Sequence, residues 1–154
     1  MAADAAVTAF VDQLIGLFNQ RSLDLPDGYF TRQTQLVLNG VPFEEMVGRP
    51  AGDPLALMLT KGAAGYRFAA KAVQHAIPDA SVQRGELEEH RDTAADAATL
   101  TGQCWLSGHY RGAGEPVELL IGVELRLRDG RIERASASID PALLRQLQAA
   151  RLRP

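Results

Sequence analysis

The pattern of apolar and polar positions divides the chain into a mostly helical first half and a stranded second half. Between residues 4 and 20, Val7, Phe10, Val11, Leu14, Leu17 and Phe18 recur at the spacing of one helix face, with Asp4, Thr8, Asp12 and Asn19 elsewhere on the wheel. Turn chemistry follows at Pro26-Asp27-Gly28, then Tyr29-Phe30 and a short strand, Thr34–Leu38, ended by Asn39-Gly40. Residues 41–53 read as an irregular connection with a helical turn at Phe43–Val47. A longer helix is predicted from Leu55 to Ala76, with Leu55, Leu59, Gly62, Tyr66, Ala69, Val73 and Ile77 on one face. Gly62 and Gly65 each weaken it by roughly 1 kcal/mol, a cost that fits close packing against a sheet. Ile77-Pro78-Asp79 ends it, because proline disfavours helical geometry in the residue before it.

Beyond residue 80 the period changes to two. Strands are predicted over 81–90, 96–110, 117–128 and 131–139. The third alternates most clearly, Val117, Leu119, Ile121, Val123, Leu125 and Leu127 against Glu118, Leu120, Gly122, Glu124, Arg126 and Arg128. Asp129-Gly130 is a two-residue hairpin signal between the last two strands, and Asp140-Pro141 opens a terminal helix over 141–152. Helices gathered before the strands argue for an α+β fold, with an antiparallel meander covered on one face by the helices. If strongly bent, such a sheet leaves a conical cavity beneath its helices, where function would sit.

Composition narrows the picture without changing it. A length of 154 residues suits a single domain spanning 1–154, and 46% hydrophobic residues suffice for a core. A net charge of −3 argues against a nucleic-acid partner, whose phosphates demand cationic contacts. Cys104 is the only cysteine, which excludes an internal disulfide and points to a reducing, cytoplasmic setting. No apolar run approaches the roughly 18 residues of a membrane span, and the N-terminus lacks the basic region of a secretory signal. Of the 16 basic residues only Lys61 and Lys71 are lysines, so any single arginine says little about anion recognition.

Taken in order, Tyr29-Phe30, Asn39-Gly40, Ile77-Pro78-Asp79, Gly108-His109, Arg128-Asp129-Gly130-Arg131-Ile132 and Asp140 resemble the nuclear transport factor 2-like superfamily, and within it the SnoaL-like polyketide cyclase branch. The resemblance implies a cone-shaped barrel, in which a strongly bent antiparallel sheet packs against the N-terminal helices around an apolar pocket. It also implies a homodimer packed through the sheet. It does not imply one activity, since the superfamily holds cyclases, isomerases, dehydratases and non-catalytic binding proteins. The acids of a ketosteroid isomerase are missing, because Val37-Leu38-Asn39 and Ile121-Gly122-Val123 stand where they belong. Ala135-Ser136-Ala137-Ser138-Ile139 puts small side chains where the branch often has bulky ones, which suggests a roomier cavity.

Six residues are candidates for the site. Asp140 matches the terminal aspartate that serves as acid/base in SnoaL-like cyclases. Asp before Pro is equally the grammar of a helix cap, which would lower its pKa. His109, on the strand face of Gln103, Trp105 and Ser107, either moves protons or lies on the surface or a dimer interface. Tyr66 offers a phenol to a bound carbonyl, or simply packs in the core. Tyr29 at the cavity mouth, Trp105, and Glu124 on the mixed face of the third strand complete the ligand-binding set; Glu124 is alternatively a cross-strand partner for arginine. His75, His90 and His109 lie in different elements, so no metal site is expected, and no glycine pattern announces a cofactor. The expected activity is proton transfer of cyclase, isomerase or dehydratase type on a small apolar carbonyl compound. The alternative is a non-catalytic binding or interaction module.

Overall fold

The structure, a computed structural model, describes residues 5–22, 30–43, 61–92, 97–112, 114–129 and 131–151. In chain order the elements are α1 (Ala5–Asn19), β1 (Phe30–Leu38), β2 (Val41–Pro42), α2 (Gly62–Ala76), β3 (Ser81–Asp92), β4 (Ala97–His109), β5 (Pro116–Arg128), β6 (Arg131–Ser138) and α3 (Pro141–Arg151). The predicted helices and strands that fall within the described residues are present. The predicted turn beyond Phe43 and residues 55–60 of the predicted long helix lie outside the described residues; Lys61, expected within that helix, is instead extended and bridges Gln35, so α2 begins at Gly62.

Six strands form one sheet in the order β2-β1-β6-β5-β4-β3. The meander β3 to β6 is antiparallel, as its alternation predicts, but β1 joins β6 in parallel, so the sheet is mixed and open at both edges. β1 begins four residues earlier than its apolar pattern indicates. Its first turn is held by polar contacts: the Thr31 N–H donates to the Thr34 hydroxyl, and that buried hydroxyl donates to the Ile132 carbonyl. At its other end Asn39, with φ of 51°, accepts the Ile139 N–H at 2.8 Å. The Asn-Gly turn and the last strand, 100 residues apart, are thereby tied together.

The helices cover one face. Two clusters of buried side chains lie beneath them, one formed by Phe18, Ala70, Ala76, Ile77, Leu106, Val117 and Leu119, the other by Phe10, Val11, Leu87, Leu100, Leu125 and Ile132. Gly62 explains the small residues of the long helix: a Cβ there would strike the Thr31 carbonyl oxygen, so the start of α2 lies directly on β1. The exposed edge of β3 is partly closed by Asn19, whose amide donates to the Val82 carbonyl and accepts its N–H at 3.0 and 2.8 Å. Among the described residues no helix is long and apolar enough to cross a membrane.

Candidate functional site

The covered face of β5 carries Val117, Leu119, Ile121, Val123 and Leu125. Leu119 and Leu125 are buried, 2% and 7% exposed, yet Ile121 and Val123 between them stay partly accessible. The same holds for Ala135 and Ala137, which face Leu125 and Val123 across the β5–β6 ladder. A sheet centre normally carries the most deeply buried side chains, so these four residues stand out as a thinly covered apolar strip on that face. Tyr66 leans on the first cluster and Phe30 on the second, and their rings meet with centroids 5.7 Å apart. Burial pushes the Tyr66 phenol above its ordinary pKa, so at neutral pH it is an uncharged hydrogen-bond donor. Inward-facing Cys104 is buried, and burial likewise raises its thiol, which keeps it protonated and unreactive. The Phe30–Tyr66 ring pair thus joins the two clusters on the covered face.

The other expected site residues lie elsewhere. Asp140 is exposed and its Oδ1 accepts the Ala142 N–H at 2.8 Å, while its carbonyl accepts the Leu144 N–H at 2.9 Å: it is the N-cap of α3. His109 points away from the helices. Its backbone N–H and its Nδ1 both lie 2.7 Å from the Asp79 carboxylate, and the side chain is 61% exposed. The two hydrogen bonds from His109 hold the Asp79 carboxyl below its ordinary pKa of 3.8. Gly108 makes this approach possible, since a Cβ there would come 2.8 Å from Asp79 Oδ1. Trp105, 44% exposed, and Glu124 also lie on the uncovered face, Glu124 beside Thr101 and Ser136 with no arginine directly across. Tyr29 lies outside the described residues.

Sequence reasoning missed two features. The uncovered face contains a trough of about 340 Å3 lined by Gln103, Gly122, Glu124, Arg134, Ser136 and Ser138. Its trace in the sequence is Gly122, which interrupts an otherwise regular alternation. The second is Glu89, a carboxylate only 3% exposed and bonded to Arg91 Nε at 2.7 Å. Its signal is an acidic residue at an inward position, in register with Leu100. Among the described residues no group of three or more His, Cys, Asp or Glu is placed to hold a metal ion.

No protein-family profile matches the chain, and no curated protein sequence matches it. Solved structures do. IdmH, a candidate polyketide cyclase from Streptomyces antibioticus, matches with a TM-score of 0.59 at 18% identity over 92% of this chain and 97% of that one. A candidate SnoaL-like polyketide cyclase from Jannaschia Sp. CCS1 matches with a TM-score of 0.54 at 15% identity, over 96% and 94% of the two chains. A hexachlorocyclohexane dehydrochlorinase, LinA type 2, reaches a TM-score of 0.66 at 12% identity, over 88% and 84%. The fold is thus that of SnoaL-like, nuclear transport factor 2-like proteins, as the ordered motifs suggested.

Proposed function

We propose that a hollow lies between the sheet and its helices, and that the protein binds a small apolar or aromatic carbonyl compound there and catalyses proton transfer on it, in the manner of a cyclase, isomerase or dehydratase. One observation carries the proposal: partly accessible Ile121, Val123 and Ala135 pack against the same two clusters as the Phe30–Tyr66 ring pair. In an apolar surround a neutral phenol donating to a carbonyl oxygen stabilises the charge that develops when a neighbouring carbon loses its proton. Tyr66 is given that role. The acid/base is assigned to Asp140, whose carboxylate must serve from the head of α3, and the remaining ligand contacts to Tyr29. His109, Trp105 and Glu124 are assigned to the uncovered face, where a second copy of the chain packs in a homodimer. The lone cysteine supports a cytoplasmic location.

A panel of aromatic and alicyclic ketones, titrated by isothermal calorimetry, tests the binding. The wild type should bind one molecule per chain, and Tyr66→Phe should weaken a carbonyl ligand by about tenfold while leaving its hydrocarbon analogue unchanged, the worth of one hydrogen bond. Equal losses for both ligands would remove Tyr66 from the site. The cap at Asp140 and the outward His109 favour a second reading, ligand binding without turnover. Solvent hydrogen exchange at the carbon next to the ligand carbonyl, followed by NMR, decides between the two.

A further inference from the structure

The trough on the uncovered face is shaped by rows of side chains that run across β4, β5 and β6. In the first row Arg126 faces Arg134, with Thr99 and Gln35 as their outer neighbours on β4 and β1. Glu124 holds the centre of the second row, between Thr101 and Ser136, and Gly122 the centre of the third, between Gln103 and Ser138. Arg134, Glu124 and Gly122 all line the trough. Successive rows are two residues apart along each strand, or about 7 Å.

The charges in these rows have no partners of their own. Like charges directly across a ladder repel, and the uncharged neighbours Thr99 and Gln35 do nothing to relieve Arg126 and Arg134. Glu133 is taken by Arg128, at 3.5 Å. Glu124 is diagonal to Arg134, a separation that long side chains can span. Yet among the described residues neither it nor either arginine enters an ion pair. Two guanidinium groups and a carboxylate thus stand open at neighbouring positions of one depression.

Gly122 keeps that depression clear. A Cβ there would press only on the hydroxyl of Ser138, an exposed side chain that can turn aside, and the backbone is not left-handed. The strand glycines at 85, 102 and 108, by contrast, have backbone or packed side chains against them. A strand glycine without such a reason is found where a ligand comes close.

We infer that the trough binds a small zwitterion, its carboxylate between Arg126 and Arg134 and its ammonium group beside Glu124, above Gly122. The planar fork of an arginine matches a carboxylate two atoms at a time, and an anion between the pair offsets their repulsion. An ammonium group carries three donors, for which Glu124, the Gln103 amide oxygen and the Ser138 hydroxyl are acceptors. A lone anion leaves Glu124 unanswered, and a lone cation is repelled by the arginines. The volume, about 340 Å3, suits a small molecule. This site is independent of the proposed function, since it lies on the face of the sheet opposite the Phe30–Tyr66 ring pair.

Calorimetry at low salt with glycine, β-alanine, γ-aminobutyrate and ε-aminocaproate tests the inference. Affinity should rise along the series as the two charges come to span the distance between rows. One ε-aminocaproate should bind per chain, at least about tenfold tighter than caproate or pentylamine, each of which keeps one of its charges. Glu124→Gln should reduce it to the level of caproate and Arg134→Gln to that of pentylamine, with the circular dichroism unchanged. Gly122→Val, which fills the trough, should abolish binding. Caproate binding as tightly as ε-aminocaproate would leave an anion site only and overturn the zwitterion. No binding anywhere in the series would overturn the site. So would binding that disappears when light scattering shows copies of the chain associating, because the trough would then belong to the contact between them.

Discussion

Asp140 shows how one side chain can be legible in type and ambiguous in task. Its place before Pro141 announces a helix start, and its Oδ1 takes the Ala142 N–H as a cap does. Asparagine caps as well as aspartate but cannot exchange a proton, so the two tasks separate experimentally. Asp140→Asn should keep the melting temperature within about 1 °C, whereas Asp140→Ala should cost about 1 kcal/mol in urea denaturation. Turnover that survives in Asp140→Asn would end the acid/base assignment. The Asp79–His109 link makes a second residue-level prediction. Because the folded carboxyl sits below its ordinary value, its contribution to stability is full above about pH 4 and disappears as pH falls through the folded pKa. Melting followed across the acid range should therefore be flatter below pH 4 in Asp79→Asn than in wild type, and high salt should shrink the difference. His109 was readable from alternation as sharing a face with Trp105. That Asp79 would hold it was not, because the turn and the strand end are 30 residues apart.

At the scale of elements, periodicity located α1, α3, the end of α2 and the meander to within a few residues, since each is defined by contacts on one face of one segment, but α2 begins only at Gly62, after Lys61 has paired with Gln35 of β1. Its failures are instructive. β1 is longer than its apolar run because the Thr31–Thr34–Ile132 hydrogen bonds extend it, and a polar stretch held by side-chain hydroxyls carries no hydrophobic signal. The glycines of the helices divide in the same way. Gly62 has a φ of 62° and a Cβ there would strike Thr31, whereas nothing lies within 4 Å of a Cβ at Gly16 in α1. Gly62→Ala should destabilise by about 2 kcal/mol or more. Gly16→Ala should stabilise by about 0.5–1 kcal/mol, because it only removes backbone freedom from the unfolded chain. Chemical denaturation of the pair tests whether α2 truly lies on β1. Equal effects would mean that it does not.

At the scale of the whole molecule, the sheet has two working faces. The covered one carries two packed clusters, and the uncovered one carries charge, an exposed tryptophan and a glycine-floored trough. The six candidate residues scatter across this division: Tyr66 packs against the first cluster, His109, Trp105 and Glu124 lie on the other face, Asp140 heads α3, and Tyr29 lies outside the described residues. Alternation along a strand says which residues share a face, but not which face the helices will cover.

By itself the sequence determined the element types, their order and the residues that travel together on each strand or helix face, because these follow from local backbone geometry and the burial of apolar stripes. The ordered motifs carried the fold class as well. Tertiary structure alone decided that β1 joins β6 in parallel, that Asn39 meets Ile139, and that Ile121 and Val123 remain accessible amid buried neighbours. These are properties of segments brought together from across the chain. Only packing in three dimensions assigns them, because no local period encodes which distant surface a residue will meet.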